Sequence, residues 1–388
     1  MAGKSKRPLK ESELSRWRLI EEFEQRLERA RALSTEPRTF SDARRKLGQK
    51  DYLSLLLFGL FNPVVDSMRG LCAASRLRRV QEQICSAPVS LGSFSEAQGV
   101  VDPELLQRVF AELASERQCA SFPNSDQRLE PYRAKLLVID GTLWRALPRM
   151  AWALWRYQHG RESALRLHVK FNLLEEKPVG ALVTNARRCE RAVLRTQLAA
   201  GEFYVGDRYY GEDYSLFSEL EQAGCSYLLR LRQQARFEVV QEWPLSAAER
   251  GASVTFDGLV RLGEGQLPLD ALVRLVRVQS EKGELLLVSN KTREEISGEL
   301  LALIYRSRWR VELFFKWLKC ILGCRHWMAE SERGVALQVY CALIAALLLL
   351  RANGRRPGKR AMEMIRFYLL GYATLDELSA ALGLEKSR

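Results

Sequence analysis

Residues 135–140 read Lys-Leu-Leu-Val-Ile-Asp, an apolar run that ends in a carboxylate. Residues 202–207 repeat the pattern as Glu-Phe-Tyr-Val-Gly-Asp. Short apolar runs bounded by polar residues predict buried strands, so Asp140 and Asp207 each stand at a predicted strand end. Alternation and helical periodicity around them predict strands at 135–140, 166–174, 179–184, 202–207 and 226–231 and helices at 186–198 and 214–223. This mixture of alternating strands and helices predicts an α/β fold.

The order of these elements resembles that of the ribonuclease-H-like fold, in which the first and fourth strands lie side by side. The resemblance implies that Asp140 and Asp207 emerge at neighbouring positions. Short alternating segments and Gly-rich turns after the last of these strands predict a mostly β insertion. The predicted domains are an all-α N-terminal DNA-binding domain at 1–128, a first part of the ribonuclease-H-like core at 129–232, the β-rich insertion at 233–290, a second part of the core at 291–352 and a C-terminal helical tail at 353–388.

Positive charge is concentrated in two zones of the chain. The 388 residues include 60 Lys and Arg against 47 Asp and Glu, a formal charge of +13. Residues 1–50 hold 14 basic and 8 acidic side chains, and residues 301–360 hold 12 and 3. Such zones favour contact with nucleic-acid phosphates, while a membrane surface or a merely solvated basic face are the alternatives. With 47% hydrophobic residues, the composition excludes disordered and disulfide-scaffold proteins.

The sequence of the N-terminal region predicts short helices that contain several arginines. Two interpretations stay open, because no helix-turn-helix pattern is strong: a DNA-reading module or a plain helical bundle. The arginines concerned are Arg69, Arg76, Arg78 and Arg79.

The expected location is the cytoplasm, with association to the nucleoid when the protein binds DNA. Eight cysteines are scattered without a repeating spacing, as is typical of reduced intracellular thiols. The apolar run at 335–350 contains Gln338 and is shorter than the roughly 18–20 residues of a spanning helix. It predicts a buried core helix, so no membrane partner is expected.

One segment near the second basic zone combines charge with helical periodicity. Residues 305–319 read Tyr-Arg-Ser-Arg-Trp-Arg-Val-Glu-Leu-Phe-Phe-Lys-Trp-Leu-Lys. At about 100° per residue, apolar side chains such as Leu313 fall on a core-facing side of one helix. The polar side chains that share the other face are Tyr305, Arg308, Glu312, Lys316 and Lys319. An i,i+4 ion pair between Arg308 and Glu312 on a surface helix is the alternative explanation.

The predicted strand-end aspartates and Glu312 together point to metal chemistry. Three carboxylates at one place repel one another unless a divalent cation lies between them, and Mg²⁺ prefers oxygen ligands. Two such ions about 3.5 to 4 Å apart can hold the attacking and departing oxygens of a phosphodiester. Other chemistries lack support, because Cys320, Cys324 and His326 miss a fourth zinc ligand and no nucleotide-binding glycine motif occurs.

The segment at 305–319 resembles a known family signature. Its residues match Y-x2-R-x3-E-x6-K, the signature of the fourth insertion-sequence family of bacterial DDE transposases. Together with Asp140-Gly-Thr and Asp207-Arg, the resemblance covers roughly residues 130–325. One departure is the pair Tyr209-Tyr210, which stands where the family has Gly and then an aromatic residue, so the turn after Asp207 is open to question.

By this resemblance the chain would be a cut-and-paste DNA transposase. Asp140, Asp207 and Glu312 would be the catalytic ligands of two Mg²⁺ ions, for which Mn²⁺ could substitute. DNA contacts would come from Tyr305, Arg308, Lys316, Lys319, Arg208 and, against a flipped base, Trp243. The partners implied are the terminal inverted repeats and target DNA, bound by a homodimer.

Two alternatives to this function remain. An inactive or domesticated copy would only bind DNA, although the intact Asp, Asp, Glu set argues against it. A branched-DNA nuclease of the same fold would need neither the β insertion nor the N-terminal helices.

Overall fold

The computed structural model is a mixed α/β protein with a large sheet. It describes residues 18–33, 47–62, 65, 67–117, 126–147, 150–157, 160–263, 272–281, 283–320, 327–354, 356–369 and 372–381. Cys324 and His326 of the weak zinc motif lie outside these ranges, as do residues 1–17 of the first basic zone.

The described elements alternate along the chain. The strands are β1 Leu136–Arg145, β2 Leu154–Tyr157, β3 Gly160–Asn172, β4 Lys177–Asn185, β5 Phe203–Gly206, β6 Ser226–Arg230, β7 Phe237–Glu242, β8 Val254–Leu262, β9 Leu272–Ser280 and β10 Gly283–Ser289. The helices are α1 Arg18–Ala32, α2 Gln49–Phe61, α3 Met68–Ala74, α4 Arg78–Gln83, α5 Leu91–Val100, α6 Pro103–Ser115, α7 Glu190–Arg195, α8 Arg208–Gly211, α9 Tyr214–Gln222, α10 Ala247–Gly251, α11 Gly298–Ser307, α12 Trp309–Cys320, α13 Glu332–Asn353, α14 Lys359–Leu369 and α15 Leu375–Ala381.

The chain divides into two units. Unit 1 comprises Met1–Ala120, Trp144–Leu165 and Phe315–Arg388, and unit 2 comprises Ser121–Leu143 and Arg166–Phe314. Strands β1 and β3 and helix α12 have residues in both units. The limits of the domains predicted from the sequence stay predictions.

Helix α13 forms the centre of unit 1. It has 22 residues, more than the apolar run that predicted it, because Ser331 caps its start and Gly354, at φ 67°, ends it. Residues Glu332–Ala352 are long and apolar enough to cross a membrane, but 83% of their apolar window is buried inside the protein. Helices α2, α5 and α6 pack against α13. The prediction of a buried core helix is confirmed, and its predicted length was too short.

The sheet of unit 2 brings the two aspartate-bearing strands together. Strand β3 pairs with β1, β2 and β4, and from β1 the order continues as β5-β6-β10-β9-β8-β7. Strand β1 runs parallel to β5, with Val138 opposite Val205, and β5 runs parallel to β6. The expected neighbourhood of the strands that lead to Asp140 and Asp207 is therefore confirmed.

The sheet continues through the four strands β7 to β10. Strand β10 pairs antiparallel with β6, with Leu287 opposite Arg230, and β9, β8 and β7 follow in antiparallel order. The mostly β character expected of this segment is confirmed. Its strands extend the sheet that contains β1 and β5.

Several predicted elements differ in length from those observed, among them the strand predicted at 135–140 and the helix predicted at 186–198. Strand β1 continues past Asp140 to Arg145, so Asp140 lies inside the strand and not at its end. Helix α7 covers only six residues of the helix predicted at 186–198. The side chain of Asn185 accepts the N–H of Arg187 and holds a turn where the helix was expected to begin.

The single helix predicted over 305–319 is two helices. Helix α11 ends at Ser307, Arg308 is its C-cap, and α12 starts at Trp309. Because this break changes the phase of the second helix, Leu313 is 45% exposed instead of facing the core.

Candidate active site

Asp140 and Asp207 occupy equivalent places on neighbouring strands. Each lies two residues beyond the matched pair Val138 and Val205. The Asp140 Oδ1 atom accepts the N–H of Gly141 at 2.8 Å. Asp207 is the N-cap of α8 and its Oδ1 accepts the N–H of Tyr209 at 2.9 Å. The parallel strands thus bring both carboxylates to the same edge of the sheet, where ligands of open α/β sheets commonly bind.

The environment of Asp140 disfavours its ionised form. Burial is the largest cause, and it raises the pKa of Asp140 to about 7. The negative charges of Asp207 and Glu190 raise this pKa further, whereas Arg308 and the N–H of Gly141 oppose the shift. A divalent cation beside these carboxylates would relieve the same repulsion.

Arg308 connects Glu312 to Asp140. Its Nη1 lies 3.2 Å from Asp140 Oδ2, and its Nη2 lies 2.6 Å from Glu312 Oε1. The guanidinium is 17% exposed, so both ion pairs are partly shielded from water. The i,i+4 pair considered as an alternative is present, and the same arginine also reaches a strand of the sheet.

The carboxylate oxygens are of the type that a hard divalent ion prefers, but in this structure they are not arranged around one position. Carboxylate oxygens are the ligands that Mg²⁺ prefers. Yet within the described part of the chain, no three His, Cys, Asp or Glu side chains are grouped so that they could hold a metal ion. The Arg308 guanidinium lies between Asp140 and Glu312 instead.

Tyr305 and Arg230 complete the polar surroundings of the two aspartates. Tyr305 is 7% exposed, and burial raises the pKa of its hydroxyl, while Arg308 and Arg230 oppose that shift. The Arg230 side chain hydrogen-bonds to Tyr305. Arg230 is the last residue of β6, at the same edge as Asp207. Arg230 was not among the residues predicted from the sequence, although a cation at the end of the strand after β5 was the available signal.

The turn after Asp207 is a short helix. Despite the departure from the family pattern, Asp207 caps α8, and Tyr210 is buried with its hydroxyl 3.2 Å from Glu190 Oε2. Arg208 is exposed. Glu190 is a second site residue that sequence analysis missed, because an acidic side chain in the first turn of a helix has an ordinary stabilising role.

The remaining predicted DNA contacts are two lysines of helix α12 and one tryptophan of the β-rich segment. Lys316 and Lys319 belong to unit 1, where Lys316 is exposed and Lys319 Nζ lies 5.2 Å from the centre of the Trp144 ring. Trp243 belongs to unit 2 and is half-buried. The guanidinium carbons of Arg274 and Arg293 each lie 5.9 Å from its ring centre.

The raised pKa of Asp140 predicts a specific pH dependence of stability. A folded-state pKa above the unfolded value of about 3.9 stabilises the fold at low pH, and this contribution disappears as pH rises toward the folded pKa. With a chelator present, the free energy of unfolding of the wild-type protein should therefore fall relative to that of Asp140→Asn as the pH rises from about 4 to about 7. Urea unfolding of both proteins over that range measures the difference. A constant difference would contradict the prediction.

Comparison with known proteins identifies the domain that contains this arrangement. Residues 131–348 match the family model of the transposase DDE domain. A Sinorhizobium fredii protein named as a transposase is 28% identical over 242 residues, covering 61% of this chain and 65% of that protein. A protein named as the transposase of insertion sequence element IS5377 from Geobacillus stearothermophilus is 28% identical over 217 residues, covering 55% of each chain.

A solved piggyBac transposase synaptic complex with hairpin DNA is 11% identical in sequence to this chain, with a TM-score of 0.43 over 97% of this chain and 81% of that one. The sequence matches span about half to two thirds of the two curated relatives' lengths. Because the family model covers more than half of the chain, the protein belongs to the family of transposases with a DDE domain.

Proposed function

We propose that this chain is a metal-dependent DNA transposase of the fourth insertion-sequence family with a ribonuclease-H-like core. The observation that carries the proposal is the pairing of Asp140 and Asp207 on parallel strands, with Glu312 joined to Asp140 through Arg308. The strand order β3-β1-β5-β6, with β4 also paired to β3, supports a ribonuclease-H-like core, because the first and fourth core strands, β1 and β5, are neighbours in it.

Asp140, Asp207 and Glu312 would hold the divalent ions, two Mg²⁺ or in their place Mn²⁺. When bound, such ions activate a hydroxyl for attack on a phosphodiester and stabilise the leaving oxygen. The role of Arg308 would then change. It would release the carboxylates and turn its two-pronged guanidinium toward a DNA phosphate, a geometry that suits arginine.

The other proposed contacts bind DNA without entering the chemistry. Tyr305 and Arg208 would contact the strand near the cleaved end, and Lys316 and Lys319 would hold phosphates farther along it. Trp243 is the proposed platform for a base that leaves the double helix, since aromatic rings stack on bases of any sequence. Its half-exposed ring leaves one part accessible.

The N-terminal helices are proposed to bind the terminal inverted repeats. Four arginines on or beside α3 and α4 are exposed, as phosphate contacts require: Arg69, Arg76, Arg78 and Arg79. We further propose that two copies act together on two DNA ends, in the cytoplasm at the nucleoid.

The test is incubation of purified full-length protein with Mg²⁺ and DNA that carries the ends of its element, followed by a denaturing gel. We expect strand breaks at the ends that disappear in EDTA and are absent from DNA without the ends. Binding without cleavage would favour an inactive copy and overturn the proposed activity. Cutting of branched junctions irrespective of end sequence would favour a nuclease.

A further inference from the structure

The arginine turn, residues 185–188, lies between strand β4 and helix α7 and reads Asn-Ala-Arg-Arg. The Asn185 side-chain oxygen accepts the N–H of Arg187 at 3.1 Å, and its carbonyl oxygen accepts the N–H of Arg188 at 3.2 Å. The Arg166 guanidinium also donates to the carbonyl oxygen of Arg188 at 3.5 Å. These bonds use only the backbone of the two arginines, and both of their side chains are exposed.

The segment that follows the arginine turn contacts the residues that follow Asp207. The Sγ atom of Cys189, the first residue after the turn, is 3.2 Å from the Tyr209 hydroxyl. The guanidinium carbon of Arg191 lies 4.2 Å from the centre of the Tyr209 ring. Tyr209 in turn donates its backbone N–H to Asp207. Tyr209 therefore joins the end of the arginine turn to one of the two proposed metal-binding aspartates.

The arginines of helix α7 have acidic partners. Arg191 lies 3.6 Å from both Glu212 and Asp213, and Arg195 lies 2.9 Å from Asp213. Their charges are therefore used within the protein, where they attach α7 to the start of α9.

The arginines of the turn have no such partners. Within the part of the chain that the structure describes, neither Arg187 nor Arg188 forms an ion pair. The acidic side chain nearest to them in the sequence, Glu190, is paired with Arg166 at 3.0 Å. Arg208, the first residue of α8, is exposed and likewise forms no ion pair with a described residue. Three such arginines thus stand on the two segments that Tyr209 joins.

Two neighbouring groups respond to the positive charge of this region. Burial is the main cause that lowers the pKa of His168 to about 4, and arginine charges, that of Arg188 among them, lower it further. Burial acts to raise the pKa of the Cys189 thiol, but the Tyr209 hydroxyl, two backbone N–H groups and the charge of Arg191 outweigh it and lower the pKa. A positive region of this kind attracts anions.

We propose that the arginine turn binds the DNA backbone beside the candidate active site, with Arg187 and Arg188 each contacting a phosphate. Exposed guanidinium groups without carboxylate partners suit this task, because their paired donors match the oxygens of a phosphate. The inference rests on the proposed function and deepens it, since neither arginine was among the DNA contacts predicted from the sequence. Phosphate contacts carry no sequence information, so the turn would hold element ends and target DNA alike.

The test measures binding of the full-length protein to a duplex that carries an element end, in EDTA and at several salt concentrations. Each phosphate contact that is lost should reduce the steepness of log K against log salt concentration by about 0.9. We expect this loss for Arg187→Gln and for Arg188→Gln, and a loss of about 1.8 for the double variant. An unrelated duplex should show the same losses, because the contacts are to the backbone.

Two controls separate phosphate contact from a general loss of charge. The double change Arg187→Lys with Arg188→Lys keeps both charges and should keep the wild-type steepness. Arg261→Gln removes one exposed arginine of strand β8 and should also keep it. Wild-type steepness in the double glutamine variant, or an equal loss in Arg261→Gln, overturns the proposal.

Cys189 supplies a second measurement that needs no substitution in the turn. Its thiol is exposed, whereas Cys225 of the same unit is buried and serves as the reference for unfolding. DNA bound to the arginine turn should suppress alkylation of Cys189 by iodoacetamide, measured by mass spectrometry of its peptide. Equal alkylation with and without bound DNA overturns the proposal, even where a variant fails to fold. If the wild-type protein binds no DNA, the proposed function fails as well, whereas binding that is indifferent to the arginine turn rejects only this inference.

Discussion

Asp140→Asn and Asp207→Asn should each reduce cleavage of element ends at least about a thousandfold while DNA binding is retained. A metal ion supplies several kcal/mol of transition-state stabilisation, and about 1.4 kcal/mol corresponds to a factor of ten in rate. The amide is close to the carboxylate in size, so the hydrogen bonds from Gly141 and Tyr209 can still reach an oxygen. Cleavage is measured on a denaturing gel and end binding by mobility shift.

Asp126→Asn is the matched control for these variants. Asp126 also caps a helical turn at the start of unit 2 and pairs with Arg128, but neither contact involves the candidate site. It should cleave at the wild-type rate. Cleavage within tenfold of wild type by either Asp140→Asn or Asp207→Asn would remove that residue from the proposed ligand set.

Arg274→Met should lower the free energy of unfolding by about 3 to 5 kcal/mol, the usual cost of removing one partner of a buried ion pair. Arg274 and Asp257 are 2% and 0% exposed and share two contacts, at 2.8 Å and 2.6 Å. The arginine also donates to the carbonyl oxygens of Thr292 and Ile296. Its loss leaves a buried carboxylate and these acceptors without their donor. Urea unfolding followed by tryptophan fluorescence measures the change.

Arg261→Gln provides the comparison. Arg261 and Glu238 form an ion pair at 2.8 Å on strands of the same segment, but the two side chains are 49% and 70% exposed. Exposed pairs contribute about 1 kcal/mol or less, so this variant should be close to wild type. The double change Arg274→Met with Asp257→Leu should recover part of the lost stability, because no charge is then left buried. If Arg274→Met and Arg261→Gln lowered the free energy of unfolding equally, burial of the Arg274–Asp257 pair would have no effect on its contribution to stability.

The sequence predicted the part of the fold that depends on local patterns. The apolar runs that end near Asp140 and Asp207 are strands because their side chains are buried on both faces of the parallel part of the sheet. Their pairing was implied by the resemblance of the element order to the ribonuclease-H-like fold. The buried helix α13 was also predicted from its composition, although the caps that set its length lie outside the apolar run.

Other features depend on contacts between residues far apart in the chain. No proline or glycine marks the break between α11 and α12 at Arg308. The Asp140 side chain, which pairs with Arg308, is 168 residues away in the chain. In its sequence context, Glu190 could not be distinguished from any other acidic residue near the start of a helix. Its contact with the Tyr210 hydroxyl links residues 20 positions apart in the chain. Periodicity along one segment carries no information about such partners.

The pairing of β10 with β6 limits how this protein can be dissected. A deletion that joined residue 232 directly to residue 291 would remove β7 to β10 and uncover the edge of β6 that pairs with β10, in a strand whose Tyr227, Leu228 and Leu229 are buried. Bare sheet edges of this kind recruit strands from other molecules. Shortened versions would then precipitate for reasons unrelated to catalysis, so the role of this segment is better studied by single substitutions on its surface than by excision.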